Sequence, residues 1–153
     1  MKIKPRIGVI GGSLCTDDMY QLAKEVGYEI AKRGAYLITG GVGGIMEAAC
    51  KGAKEAGGTT IGILPGEKAH YSNPWVDIPI VTGMSHGRNI IIVRSSDAVI
   101  AINGSYGTLS EIAFALKLNV PIVGLKTWDI DKSIIKVETV AEAVECAFNE
   151  IHH

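Results

Sequence analysis

Cysteine is scarce, charge of either sign is in no excess, and no apolar run is long. The 153 residues include three cysteines, Cys15, Cys50 and Cys146, far apart and odd in number. None forms a C-x-x-C pair or a Cys/His ligand spacing, so neither a zinc site nor a disulfide framework is expected, and the usage fits a reducing cytosol. Fifteen basic residues face sixteen acidic ones, for a net charge of -1. That balance leaves no electrostatic footprint for nucleic acid and no basic face for a membrane surface. No apolar stretch reaches membrane-spanning length, and the apolar part of MKIKPRIGVIGG is too short for a signal peptide, so a cytoplasmic location is expected. The terminal His152 and His153 have the character of a tag remnant and receive no role. No G-x-x-x-x-G-K-[ST] occurs, which argues against a P-loop NTPase. Gly41-Val42-Gly43-Gly44-Ile45-Met46 begins like a dinucleotide fingerprint, but Met46 replaces the third glycine and the turn follows the second strand.

What is present is alternation. Hydrophobic residues make up 47% of a chain whose length suits one domain with one core. Apolar strands are expected at 6–10, 35–39, 59–64, 78–81, 98–102 and, last, 121–125, with a loop at 67–74. Helical patterns fill 16–33, 45–56, 85–94 and 108–118, and a C-terminal helix carries Val140, Val144, Ala147, Phe148 and Ile151. Strands apolar throughout and separated by helices imply a parallel sheet covered on both faces. The expected fold is α/β, a Rossmann-like doubly wound sheet in a single domain over residues 1–153.

Such folds bind ligands at the carboxyl ends of their strands. Three glycine-rich turns fall at such ends: Gly11-Gly12-Ser13, Gly40-Gly41-Val42-Gly43-Gly44, and Asn103-Gly104-Ser105-Tyr106-Gly107-Thr108. Glycines let backbone approach a ligand, and amides at a helix start favour an anion, so Gly12, Ser13, Gly40, Gly41, Gly43, Gly44 and the whole 103–108 turn are candidate phosphate or nucleotide contacts. The third turn has a second reading. Thr108-Leu109-Ser110-Glu111 matches a capping box, in which Thr108 caps the helix and Glu111 reaches back. Arg88, near the start of the preceding helix, sits where the dipole disfavours a cation. It is suited to an anionic ligand, or to an ion pair with Glu111.

His86-Gly87-Arg88-Asn89 and Asn103 through Glu111 together resemble the LONELY GUY (LOG) family, whose signatures are H-x-R-K and P-G-G-x-G-T-x-x-E at that spacing. Thr39 through Met46 is similar to that family's glycine-rich Leu-Met turn, and Gly12-Ser13 to its first turn; the likeness runs from about Arg6 to about Leu125. The resemblance implies a phosphoribohydrolase that cuts the N-glycosidic bond of a nucleoside 5'-monophosphate, with Arg88 and Glu111 as catalytic residues and no metal or cofactor. Asn89, Asn103 and Ser105 depart from the pattern, replacing the family's lysine, proline and second glycine. A sister group, the molybdenum cofactor carriers, resembles the chain at least as well. It implies a non-catalytic carrier or sensor of a phosphorylated nucleotide or pterin.

The helix after Thr108 is apolar on nearly every side, which points to a subunit interface and a homo-oligomer, dimer or tetramer. His86 is expected to orient or cap, His70 to face solvent, and Trp75 and Trp128 to pack loops. Cys15 and Glu47 lie near strand and helix ends without an assigned role.

Overall fold

A computed structural model describes residues 3–151, and His152 and His153 lie outside them. The chain runs β1 (Arg6–Gly11), α1 (Asp17–Lys32), β2 (Tyr36–Thr39), α2 (Ile45–Glu55), β3 (Thr60–Leu64) and β4 (Ile78–Val81). It continues through α3 (Asn89–Arg94), β5 (Ala98–Ile102), α4 (Tyr106–Leu118), β6 (Ile122–Leu125), β7 (Ile135–Val137) and α5 (Val140–Asn149). All pairings are parallel, and the strand order is β4-β3-β2-β1-β5-β6-β7. The direction of winding reverses between β1 and β5, so the crevice for a ligand opens at their carboxyl ends.

Central strands are apolar throughout because both faces are covered. Ile7, Val9, Leu37, Ile100 and Ile102 pack towards α1, α2 and α5. Ile10, Ile38, Ile63, Val99 and Ala101 pack towards α3 and α4. Burying such side chains contributes roughly 1.5–3 kcal/mol each. No helix among the described residues is long and apolar enough to cross a membrane.

Four expectations are corrected. The strand at 121–125 is not the last: β7 pairs with β6, Val123 opposite Ile135. It has three residues and an exposed Lys136 at its centre, so no apolar run announces it. The 85–94 helix is two pieces, a 3-10 turn over Ser85–Arg88 and then α3, with Ser85 at φ 54°. The 67–74 loop contains one 3-10 turn, Ala69–Tyr71. Helix α4 starts at Tyr106, two residues early, with Ser105 at its N-cap and no side-chain cap bond. Thr108 is therefore buried inside the first turn, and Thr108 and Glu111 form no capping box. The chain does cap α5 that way: Glu142 N–H donates to Thr139 Oγ1 at 3.1 Å, and Thr139 Oγ1 donates to a Glu142 carboxyl oxygen at 3.0 Å.

Edge strand β4 is the least covered part of the sheet. Ile78, Ile80 and Val81 are all exposed. Pro79 is tolerated there because an edge strand has a free side.

Candidate functional site

The third glycine-rich turn is built by its neighbours. After β5 the backbone turns left-handed at Asn103 (φ 50°) and Gly104 (φ 101°). A Cβ on Gly104 would run into the Thr108 side chain, so only glycine fits. The loop after β6 braces the turn: Thr127 Oγ1 donates to the Asn103 carbonyl at 2.6 Å, and Trp128 Nε1 to the Ser105 carbonyl at 3.1 Å. Helix α4 then begins. The amides of Tyr106, Gly107 and Thr108 find no acceptor among the described residues, since the first helical bond here is from Leu109 N–H to the Ser105 carbonyl at 3.0 Å. Unpaired amides at the positive end of a 13-residue helix make a site for an anion.

Facing them, the first turn is fastened to the second. Ile45 N–H donates to the Gly12 carbonyl at 3.0 Å, which sets the start of α2 against Gly12 and Ser13. Between the turns lies a cavity of about 360 Å³. That is within the size range of small-molecule sites. Gly12, Ser13, Ser105, Gly107 and Thr108 line it, as do Arg88 and Glu111. Gly40, Gly41, Gly43, Gly44, Asn103, Gly104 and Tyr106 are not among its lining residues. They shape what surrounds it. Gly41 N–H donates to Thr39 Oγ1 at 3.0 Å, closing the second turn on itself. Tyr106 is 81% exposed and stacks on Trp128, ring centroids 6.2 Å apart. Val42, Met46 and Pro65, which form an apolar side, and Ser85 also line the cavity, and no motif marks them for it. Only the tertiary fold brings these there.

Arg88 is only 8% exposed. Its Nε donates to the Ile63 carbonyl at 2.8 Å, its Nη2 to the Gly40 carbonyl at 3.4 Å, and its Nη1 to Asn89 Oδ1. A Cβ on Gly40 would sit 2.6 Å from Nη2, so that glycine makes room for the guanidinium. Glu111 is 6% exposed and makes no hydrogen bond among the described residues. Burial pushes its carboxyl up to about 8, against the opposing pull of the Arg88 charge. Burial therefore favours the protonated form of Glu111 at neutral pH. Burial also pulls the Arg88 guanidinium down, while the Glu111 charge raises it.

Other singled-out residues lie elsewhere. Glu47 accepts a hydrogen bond from Tyr20 Oη at 3.0 Å, and burial together with that bond pushes the phenol up to about 12. Cys15 has its thiol raised by burial and by Asp17 and Glu47, so it is a poor thiolate. Trp128 braces the third turn, and His70 is exposed. Among the described residues no cluster of three or more His, Cys, Asp or Glu is set to hold a metal. A larger groove, about 830 Å³, separates α1 from α5. It is remote from the glycine-rich turns, and both its cations are paired, Lys24 with Glu55 and Arg33 with Glu145. Chemistry points to the smaller cavity.

The chain and its fold resemble known proteins. The molybdenum cofactor binding protein of Rippkaea orientalis is 39% identical, with a TM-score of 0.92, over 99% of this chain and 100% of that one. The molybdenum cofactor carrier protein of Chlamydomonas reinhardtii is 38% identical, with a TM-score of 0.90, over 97% of this chain and 99% of that one. A cytokinin riboside 5'-monophosphate phosphoribohydrolase of Mycobacterium tuberculosis is 36% identical over 99 residues, 62% of this chain and 52% of that protein. The chain thus matches about half the length of that enzyme. The family described as SLOG cluster4 matches residues 4–150, and the chain belongs to that family, within the wider LOG and carrier-like superfamily.

Proposed function

We propose that the cavity binds a phosphorylated nucleotide or pterin, with the phosphate on the free amides of 106–108. The observation that carries this reading is the set of unpaired amides at the start of α4, opening into a cavity that also holds Arg88. Ser105 and Thr108 hydroxyls add donors, and Val42, Met46 and Pro65 give a planar ring an apolar side. The full-length likeness to two molybdenum cofactor proteins supports holding the ligand unreacted.

A second reading, phosphoribohydrolase, is favoured by one observation: a buried, protonated carboxyl, Glu111, in the same cavity. In that reaction Glu111 gives its proton to the departing base as the N-glycosidic bond breaks. The carboxylate left behind, beside Arg88, stabilises positive charge at the sugar carbon until water adds there and returns a proton. The deciding experiment incubates the protein with nucleoside 5'-monophosphates and measures free base by chromatography. Binding without base release supports the carrier reading. Base release that disappears in Glu111→Gln supports the enzyme. No binding of any phosphorylated ligand overturns both.

We also propose that the protein is a homo-oligomer. The outer side of α4, with Leu109, Phe114 and Leu116 half-buried, and the exposed edge of β4 offer apolar surface for a second copy.

A further inference from the structure

We infer that Asn89 is a positioning residue that holds Arg88 in register with the glycine-rich turn. The inference rests on the phosphate-cavity reading and deepens it.

Asn89 is 2% exposed, which is costly for a primary amide unless both its ends are bonded. Both are. Its Oδ1 accepts from Arg88 Nη1, and its Nδ2 donates to Ser110 Oγ at 3.0 Å. Ser110 Oγ in turn donates to the Gly107 carbonyl at 2.6 Å. One chain of bonds therefore runs from the guanidinium at the start of α3 to the turn at the start of α4. Neither aspartate nor lysine at position 89 reproduces it. Aspartate has no donor for Ser110, and lysine no acceptor for Arg88.

The bond inventory fixes what Arg88 has left. A guanidinium has five N–H groups. Three are spent on the Ile63 carbonyl, the Gly40 carbonyl and Asn89. Two remain for the cavity. Those three acceptors come from β3, the turn after β2, and α3, so the guanidinium plane is fixed from three directions before any ligand arrives. Without Asn89 the Nη1 end loses its anchor, and the link to Gly107 goes with it. The entropy of ordering Arg88 then falls on the binding step.

Two measurements test this, one with a ligand and one without. In solution NMR, the Arg88 Nη protons of the wild type give resolved signals, because a fixed guanidinium rotates slowly. Asn89→Ala merges them into one averaged signal. Ser110→Ala leaves them resolved but removes the tie to Gly107. Affinity is measured with ribose 5-phosphate and with adenosine 5'-monophosphate as probes. Asn89→Ala weakens both on the order of tenfold, as expected for loss of a bond to a charged group. Ser110→Ala weakens them less, and Asn89→Asp does not restore the wild-type value. Resolved Arg88 signals and unchanged affinity in a folded Asn89→Ala protein overturn the inference while leaving the cavity reading standing. Resolved wild-type signals that merge in Asn89→Ala, with no probe bound by either protein, uphold the positioning and overturn the cavity reading. If Asn89→Ala does not fold, Asn89→Leu, of similar volume but with neither donor nor acceptor, carries the test: merged Arg88 signals uphold the inference, and resolved signals overturn it.

Discussion

Arg88 and Glu111 face one cavity without forming an ion pair. Among the described residues no contact between them falls within 4.0 Å, yet each shifts the other's titration. Arg88 spends three of its five N–H groups on carbonyl oxygens of Ile63, Gly40 and Asn89, and burial favours the protonated form of Glu111. The expected alternative of a structural Arg88–Glu111 bridge is therefore not what the fold builds. With Glu111 protonated, the Arg88 guanidinium leaves the cavity favourable to an anion.

Replacing Glu111 by glutamine keeps that neutral state at every pH. If the enzyme reading holds, base release is lost, while affinity for a nucleoside monophosphate at pH 7 changes less than threefold. Turnover by chromatography and binding by calorimetry check both. Unaltered turnover removes Glu111 from the mechanism.

The raised carboxyl sets a pH dependence with a definite sign. Glu111 is protonated below about 8, so the cavity carries the Arg88 charge alone. Above about 8 the carboxylate cancels that charge and repels phosphate. Affinity for a phosphate monoester therefore falls as pH rises through about 8, and this alkaline limb is absent in Glu111→Gln. Stability follows the same sign. The folded state holds a proton that the unfolded chain gives up near the ordinary glutamate value of 4.5, so Glu111 costs more stability as pH rises from there towards 8. At pH 8.5 Glu111→Gln should be more stable than the wild type, by about 2 kcal/mol or more. A denaturant titration at pH 5 and pH 8.5 measures the difference.

Two backbone substitutions separate the site from the scaffold. Gly104→Ala forces a left-handed alanine against Thr108 and should cost about 1–3 kcal/mol while weakening phosphate binding. Thr139→Ala removes the cap of α5 and should cost about 1 kcal/mol with phosphate binding unchanged. Melting curves and binding isotherms for the pair read this contrast. Equal loss of binding in both would mean the turn has no special role.

The oligomer proposal makes a mass prediction. Light scattering should give at least twice the 16.2 kDa of one chain. Ile80→Lys together with Phe114→Glu should shift that mass towards a monomer. A monomeric wild type at working concentration ends the proposal.

Much of this protein is legible in its sequence because parallel strands buried on both faces are apolar throughout. Ala98 through Ile102 announces β5 for that reason, and helices between such runs leave little choice but a doubly wound sheet. Glycines at strand ends mark the edge where a ligand approaches. Spacing did not reveal β7, whose three residues include an exposed Lys136, because an edge strand needs no apolar run. Of the two readings of Thr108 through Glu111, the capping box is the one the fold does not build. A local motif specifies a local bond only if the helix starts where the motif says, and the left-handed turn at Asn103 and Gly104 starts α4 earlier. Tertiary packing alone decided that Arg88 is held by Ile63, Gly40 and Asn89, and that burial raises the Glu111 carboxyl. Such properties depend on burial and on partners from distant segments, which no short stretch of chain contains.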